Sequence, residues 1–161
     1  MQSCPRYLTG FRGRVLLGAA LIGALAAAVS AAVAADPRDT RDTLERYARD
    51  TWASFVVMTD EATGLPADRL HRDGTRSVQT SITNIGAYLW STLVAKALGF
   101  ISHAEAVARL DRTLRTLEAM DRHVPSGQFF NWHDHTTGAT LTVWPPSGAP
   151  LTPILSSVDN G

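Results

Sequence analysis

Glycine and proline divide this chain of 161 residues into two parts that cannot fold alike. Proline disrupts a helix interior because it lacks the backbone N–H and clashes with the preceding turn. After Arg122 these residues recur too often for a long helix: Gly127, Pro145, Pro146, Gly148, Pro150 and Pro153. Long helices are therefore expected before Arg122, and loops with short strands after it.

Before Arg122, apolar residues recur at helical spacing in three segments. The first helix should start at Asp36-Pro37, with Asp as the N-cap and Pro at the first helical position. The second is expected over about Asn84–Leu98 and ends at Gly99, and a capping box at Ser102–Glu105 opens the third. The side chains expected to be buried are Leu44, Tyr47, Ala48, Thr51, Phe55 and Met58 in the first helix, Ile85, Leu89, Leu93 and Ala97 in the second, and Val107, Leu110, Leu114 and Leu117 in the third.

The later part carries signals of a hairpin and of one more helix. Phe129–Trp132 and Thr140–Trp144 fit two short strands around the turn residues Thr136–Gly138, which places a short β-hairpin near 128–144. Ser156 or Ser157 is a suitable N-cap for a fourth helix. The predicted fold is all-α, with about three helices, long loops and this hairpin.

Composition excludes some classes of partner. The chain is 45% hydrophobic and 19% charged, which is ordinary for a globular protein. Its formal charge is zero, but three of its 15 basic residues precede the first acid, so the part after Ala35 carries a net charge of −3. An acidic body gives no electrostatic reason to expect a nucleic-acid partner.

The N-terminus has the pattern of an export signal. Arg6, Arg12 and Arg14 precede an uncharged run over Val15–Ala35, and Ala32-Val33-Ala34 fits the small-x-small cleavage pattern. We expect residues 1–35 to be a signal peptide and the protein to be secreted or extracytoplasmic. The alternative is an uncleaved membrane anchor, because about 20 apolar residues can span a bilayer. Cys4 is the only cysteine and would leave with the signal, so the mature chain can form no disulfide.

Five blocks of the sequence, taken in order, carry a family resemblance. They are Thr63–Asp68 (TGLPAD), Thr80–Leu89 (TSITNIGAYL), Ala97–Ile101 (ALGFI), Phe130–Asp134 (FNWHD) and Ser156–Gly161 (SSVDNG). With them, Trp52–Gly161 resembles the glucoamylase-like domain of cyclic β-1,2-glucan synthases and of related β-1,2-glucan-acting glycoside hydrolases. The resemblance implies an (α/α)6 barrel that acts on glucans.

The resemblance covers about the first third of such a barrel. We therefore expect residues 36–161 to be the N-terminal part of a glucoamylase-like barrel, an incomplete toroid truncated at its C-terminus. The family usually has Pro at the position of Ile82, Tyr at His133, and Thr or Pro near His135. The resemblance also implies that the main catalytic acids of the barrel lie in segments that follow the matched blocks. We therefore expect residues 36–161 to be inactive by themselves.

Three loop acids in the matching blocks are candidates for glycoside chemistry, which needs carboxyl groups at the bond and aromatics that position the sugar. Asp159 is the catalytic candidate, because a helix N-terminus favours the ionised form that orients water or accepts a hydroxyl. Helix capping together with Ser157 is the alternative for Asp159. Asp68 and Asp134 are candidate substrate ligands, for which hydrogen bonding within a turn is the favoured alternative.

Trp132 and Asn131 are the main candidates for sugar contact. An indole face can stack on a pyranose, and an amide can both donate to and accept from neighbouring hydroxyls. Packing beneath the rim is the alternative for Trp132. Asn84 is a further candidate ligand, although capping of the second helix also explains Asn84 and Thr83.

Two functions stay open from the sequence. One is the N-terminal part of an exported glycoside hydrolase or transglycosylase that acts on a β-glucan; the alternative is a non-catalytic glycan-binding or cell-envelope protein. His133 and His135 alternate as strand ligands do, but no third ligand is evident, so we expect no metal site. Glycine-rich phosphate loops, GxSxG elbows and HExxH helices are absent from the sequence, and we expect no cofactor.

Overall fold

The computed structural model describes residues 37–160. Contacts divide the chain after Leu44, into units Met1–Leu44 and Glu45–Gly161. The described part of the first unit is the start of the first helix, residues 37–44. The packing described below is therefore that of the second unit. The expected signal peptide and the predicted N-cap at Asp36 lie outside the described residues.

Over residues 37–160 the chain is mainly helical, with a few very short strands. Its elements are α1 (Pro37–Met58), β1 (Gln79–Thr80), α2 (Ile82–Ala97), α3 (His103–Ala119), β2 (His133–Asp134), β3 (Val143–Trp144), β4 (Ala149–Pro150) and α4 (Ser157–Asn160). The predicted helical class is confirmed. Closure into a toroid remains a proposal.

Local signals set the ends of α2. It begins at Ile82, two residues before the predicted start, because the Oγ of Ser81 accepts the N–H of Asn84 at 3.2 Å. At the other end Gly99 has φ +74°, and its N–H bonds back to Lys96 while that of Phe100 bonds to Ala95. These two bonds form a Schellman motif, so Gly99 ends the helix as the predicted C-terminal cap.

The third helix begins with half of the predicted capping box. The Oγ of Ser102 accepts the N–H of Glu105 at 3.1 Å. The carboxylate of Glu105 turns away from the cap to Arg109, at 2.8 Å, instead of reaching back to Ser102. An ion pair one turn along the helix thus replaces the reciprocal hydrogen bond.

Two small cores hold the second unit together. In one, Trp52 of α1 stacks on Tyr88 of α2, with ring centroids 6.3 Å apart, next to Ala95. In the other, Leu65 from the loop after α1 packs on Ile85 and Met120. The loop residue Leu65 thus contributes to the core as much as the helices do.

The predicted buried faces are partly wrong. Ile85 is buried and Phe55, Met58, Leu89, Leu110 and Leu117 are half-buried, but Leu44, Tyr47, Leu93, Ala97, Val107 and Leu114 are exposed. The side of α3 that faces the rest of the unit carries Ala106 and Thr113 instead. Thr113 donates to the carbonyl of Gly64 at 2.8 Å, and Thr116 donates to that of Thr63 at 2.6 Å. The buried side of α3 is joined to a loop by hydrogen bonds from threonine hydroxyls. The spacing of apolar residues alone therefore predicts the wrong side of α3 as buried.

Four tight turns share one arrangement that the predicted elements did not include. They span residues 60–65, 123–128, 134–139 and 144–149, and each has Ser or Thr followed by Gly at its fourth and fifth positions. The glycine N–H donates to the carbonyl of the first residue at 2.7–2.9 Å in all four. The hydroxyl before it accepts the N–H two residues on, at 3.1–3.4 Å. The glycines have φ between +69° and +77°, a conformation that L side chains adopt at a cost.

Strand pairing differs from the predicted hairpin. β2 pairs antiparallel with β1, with Thr80 opposite His133, and β3 pairs with β4. The two predicted strands do meet around the turn, but only through an isolated bridge of His133 to Thr140. His133 thus pairs on both sides, with Thr140 across the turn and with Thr80 of β1, which lies more than 50 residues earlier in the chain.

Candidate functional site

The N-terminus of α2 brings together three of the predicted site residues. The Oδ1 of Asp159 accepts the hydroxyl of Thr83 at 2.7 Å and its backbone N–H at 3.3 Å. The next residue, Asn84, donates from its amide to the Oδ1 of Asp68 at 2.9 Å. Two hydrogen-bonded pairs, Asp159 with Thr83 and Asp68 with Asn84, therefore lie at neighbouring residues of one helix N-terminus, and we call Asp68, Asn84 and Asp159 the α2 rim.

Asp159 reaches the α2 rim because α4 is turned toward it. Ser156, rather than Ser157, caps α4, with its Oγ accepting the N–H of Asp159 at 3.3 Å. The carboxylate of Asp159 does not fold back on its own helix but crosses to Thr83. The hydroxyl and backbone N–H of Thr83 thus fix the orientation of the Asp159 carboxylate at the N-terminus of α2.

Asp68 is positioned by the strand before α2. Its N–H donates to the carbonyl of Gln79 at 2.8 Å, which fixes the backbone beside Asn84. Together Asp68 and Asn84 border a cavity of about 290 Å³, whose other walls include Phe55, Met58 and Pro66. The lining thus combines a carboxylate and an amide with apolar side chains, the mixture found in sites that take small amphipathic ligands such as sugars.

Asn131 lies elsewhere and has a structural role. Its backbone N–H donates to the carbonyl of Ile154 at 3.0 Å, and its Oδ1 accepts the N–H of Ile154 at 3.3 Å. Asn131 is buried. Asn131 thus joins the segment after α3 to the segment before α4 through its amide oxygen, and its predicted contact with a sugar stays a prediction.

Asn160 makes a similar connection that sequence reasoning missed. Its Oδ1 accepts the N–H of Phe129 at 2.8 Å, and its Nδ2 donates to the carbonyl of Phe129 at 3.0 Å. This pair of bonds locks α4 to the strand-like segment and so fixes the position of Asp159. Asn160 follows Asp159 in the SSVDNG block, and that adjacency was the signal available in the sequence.

Asp134 serves a turn, and Trp132 stays partly open. The Oδ1 of Asp134 accepts the N–H and the hydroxyl of Thr136, at 2.8 and 2.7 Å, which is the local bonding that competes with a ligand role. Trp132 is half-buried and meets Trp144 edge to face, with centroids 5.4 Å apart. Among the described residues, no hydrogen bond or ring contact joins these two side chains to the α2 rim.

His133 is the fully buried side chain between them. Its Nε2 lies 2.9 Å from the carbonyl oxygen of Phe130, and its Nδ1 lies 3.2 Å from that of Gly138. Burial lowers the pKa of His133 below its ordinary value of 6.5, and this outweighs the two carbonyls and the carboxylates of Asp121 and Asp159, which act to raise it. His133 is therefore a neutral packing residue, in the electrostatic field of Asp159.

The His133-Asp134-His135 run does not assemble a metal site. His135 bonds through Nδ1 to the carbonyl of Val78 at 3.0 Å, whereas both nitrogens of His133 are near other carbonyls. Within residues 37–160, no three His, Cys, Asp or Glu side chains come close enough to hold a metal ion. None of the helices in the same range combines the length and apolar character needed to cross a bilayer.

Comparison with known proteins relates this fold to two others. The chain is 34% identical, over 122 residues, to the cyclic beta-(1,2)-glucan synthase NdvB of Rhizobium meliloti (strain 1021), which covers 73% of this chain and 4% of that protein. It also superposes on the crystal structure of a "putative glucoamylase" from Bacteroides caccae with a TM-score of 0.56 and 22% identity. That match covers 66% of this chain and 26% of the other.

These relationships confirm the resemblance predicted from the five blocks, over part of the larger proteins. The chain spans only about 4% of the length of the glucan synthase, and the likeness to the Bacteroides caccae structure shows a shared fold alone. Residues 46–131, more than half of the chain, match the family described as "Protein of unknown function (DUF3131)". The protein therefore belongs to the DUF3131 family.

Proposed function

We propose that this chain is part of a carbohydrate-active protein and binds a β-glucan at the α2 rim. The observation that carries the proposal is the convergence of Asp68, Asn84 and Asp159, from three of the five matching blocks, on one helix N-terminus. The similarity to a cyclic beta-(1,2)-glucan synthase supports a glucan as the ligand. Carboxylate and amide groups beside an apolar wall provide the two kinds of contact that a pyranose requires.

Within this proposal, Asp159 is the catalytic candidate and acts as a base or hydroxyl acceptor. Its Oδ1 is held by Thr83, so its second oxygen is the one available to a sugar hydroxyl or a water. Glycoside cleavage also needs a carboxylic acid that protonates the leaving oxygen. The other carboxylate of the α2 rim, Asp68, accepts a hydrogen bond from Asn84, and the family resemblance places the main catalytic acids in later segments. We therefore propose that residues 36–161 bind the glucan without cleaving it, as the first part of an incomplete toroid.

The proposal includes export. Residues 1–35 would direct the protein out of the cytoplasm, either as a cleaved signal peptide or as an N-terminal anchor. The pattern of arginines, uncharged run and small residues supports this placement. Mass spectrometry of the exported protein distinguishes the two forms, because an anchor would keep Met1.

The second candidate, a non-catalytic glycan-binding or cell-envelope protein, is favoured by a different observation. Asn131 and Asp134, both predicted ligands, use their side-chain oxygens to hold the chain in shape. Such a protein would keep the cleft and lack the cleaving acids. Assay of the longest natural gene product for release of reducing sugar separates the two, since only the enzyme would produce it.

Binding is tested by titration calorimetry of the 161-residue protein with β-1,2-, β-1,3- and α-1,4-linked gluco-oligosaccharides. We expect the β-1,2-linked series to bind, and Asp159→Asn to weaken its binding about tenfold, because a hydrogen bond to a charged group contributes about 1.5–3 kcal/mol. Asp39→Asn, an exposed acid of α1, is the matched control and should leave affinity unchanged. Absence of binding to every series, or equal loss in both variants, would contradict the proposal.

A further inference from the structure

A second cavity, of about 320 Å³, lies beside the hairpin formed by residues 68–79. The hairpin is closed by a bridge between Leu70 and Arg76 and by the N–H of Ser77 donating to the carbonyl of Arg69 at 2.9 Å. The cavity differs in its lining from the one that Asp68 and Asn84 border. Its walls include Arg69, His71, Arg76, Gln79, Pro145 and Pro146.

The cavity is lined by two arginines. None of the lining side chains is acidic, and no described carboxylate lies within 4.0 Å of Arg69, His71 or Arg76. Of the two acids nearest in sequence, Asp68 accepts from Asn84, and Asp73 accepts from Thr75 and interacts electrostatically with His71. The guanidinium groups of Arg69 and Arg76 are not in an ion pair with any described carboxylate.

The arrangement is also held in place before any ligand arrives. The Nη1 of Arg76 donates to the carbonyl of Thr59 at 2.9 Å, which anchors that side chain and leaves its other N–H groups for a ligand. Pro145 and Pro146, with fixed backbone angles, form a rigid facing wall. Little freedom of the Arg76 side chain would therefore be lost when an anion binds, and such preorganisation favours affinity.

Gln79 supplies an independent sign that a polar ligand is missing. Its side chain is only 4% exposed, and its Oε1 has no hydrogen-bond partner among the described residues. Buried polar atoms are nearly always paired, so this oxygen calls for a donor. Gln79 borders the cavity, so a polar ligand bound there would lie next to this amide.

We infer that this cavity is a subsite for a sugar that bears an oxyanion, either a phosphate or a carboxylate. The guanidinium groups of Arg69 and Arg76 would take the anion through charge-assisted hydrogen bonds. The amide of Gln79 would accept a neighbouring hydroxyl of the same sugar. The inference rests on the proposed function in that it extends the ligand from a neutral glucan to one with anionic substituents.

The test uses the complete 161-residue protein and four probes: glucose 6-phosphate, glucuronate, glucose and inorganic phosphate. Titration calorimetry should show binding of one of the two anionic sugars that is at least tenfold tighter than that of glucose or of phosphate alone. The tighter of the two anionic sugars identifies the anion. Arg69→Gln should weaken this binding at least tenfold, whereas Arg72→Gln, the same change at an exposed position of the same hairpin that does not line the cavity, should leave it unchanged.

A second variant keeps the test decisive if Arg69→Gln does not fold. Gln79→Leu, which removes the acceptor, should abolish the preference for the anionic sugar over its free anion. Equal binding of phosphate and glucose 6-phosphate, or equal losses in the Arg69 and Arg72 variants, would overturn the inference. Neutral β-1,2-gluco-oligosaccharides titrated in parallel separate the two proposals, because their binding tests the α2 rim and should not change in Arg69→Gln.

Discussion

At the scale of single residues, His133 shows how a polar side chain can be a core residue. It is fully buried beside Thr80 and Thr140, its cross-strand neighbours, and each of its ring nitrogens lies near a carbonyl oxygen. A neutral imidazole has one N–H and can donate to only one of the two carbonyls. Protonation would satisfy both, but burial opposes the charge and lowers the pKa.

This pKa predicts how stability depends on pH. The folded pKa of His133 lies below the unfolded value of 6.5, so below pH 6.5 the unfolded chain binds a proton that the folded chain does not. The contribution to stability is complete above pH 6.5 and is lost as the pH falls from 6.5 to the folded pKa, with a slope of at most about 1.4 kcal/mol per pH unit. Urea unfolding of the wild type and of His133→Gln between pH 8 and pH 5 should show this slope reduced in the variant.

His103, which is exposed on α3, provides the control. The variant His103→Gln should keep the wild-type pH dependence. An identical slope in the wild type and in His133→Gln would show that other groups govern the acid sensitivity of the fold.

At the residue scale, candidate ligands could be named from the sequence but their partners could not. Asp134 was expected to bond within its turn if it had no ligand, and the bonds to Thr136 confirm that alternative. The contact of Asp159 with Thr83 joins residues 76 positions apart, and no local pattern reports such a distance. Sequence reasoning therefore found members of the α2 rim without finding the hydroxyl that holds it together.

At the scale of elements, the local signals were the most reliable. Gly99 and Ser102 mark the end of α2 and the start of α3 because caps depend on groups within a few residues. The pairing of β1 with β2 and the burial of Leu65 could not be predicted, since both depend on contacts distant in sequence. The four Ser/Thr-Gly turns were intermediate in predictability. The Ser/Thr-Gly pair that marks each turn is visible in the sequence, but the shared arrangement was not predicted from it.

Two of these turns form a matched pair for mutation. Gly64 and Gly148 have nearly the same φ, +71° and +69°, but a Cβ on Gly64 would lie 2.8 Å from the Oγ1 and 3.0 Å from the backbone N of Thr113, whereas one on Gly148 meets nothing within 4 Å. We expect Gly148→Ala to lower the free energy of unfolding by about 1–2 kcal/mol, the cost of a left-handed L residue. Gly64→Ala should cost more, because it also displaces α3.

Urea denaturation of both variants measures the difference. A loss in Gly64→Ala that exceeds the loss in Gly148→Ala by at least about 1 kcal/mol is the expected result, in the range of overpacked sites. Equal losses would mean that α3 adjusts to the added methyl group, and that the contact of Thr113 with Gly64 does not constrain the fold.

At the scale of the second unit, large apolar side chains remain uncovered on two helices. Trp90 of α2 is 70% exposed, and Leu93 beside it and Val107 and Leu114 of α3 are about half exposed. Exposed apolar surface of this kind marks an interaction face or an association hazard. It fits the proposed incomplete toroid, in which neighbouring helices would cover the flanks.

The exposed strip on α2 predicts that the purified 161-residue protein associates reversibly as its concentration rises. Trp90→Gln should weaken this association at least tenfold, because burying an aromatic side chain contributes about 1.5–3 kcal/mol. Sedimentation velocity across a concentration series is the measurement. Val124→Gln, at the exposed tip of a turn, is the control and should not alter association. A protein that stays monomeric at every concentration would show that the exposed strip on α2 does not mediate association.

The self-contained turns also bear on how such a protein can diversify. In two of them, residues 123–128 and 144–149, bonds among six consecutive residues close the turn and a Cβ on the glycine would meet nothing within 4 Å, so the side chains at the middle positions can change with little effect on the helices. During evolution, substitutions can then accumulate at the middle residues of these turns, which we call their tips, while the helices keep their structure. New ligand preferences would arise first in those tips, and a library randomised there should yield folded proteins at a far higher rate than one randomised in Thr113 and Thr116.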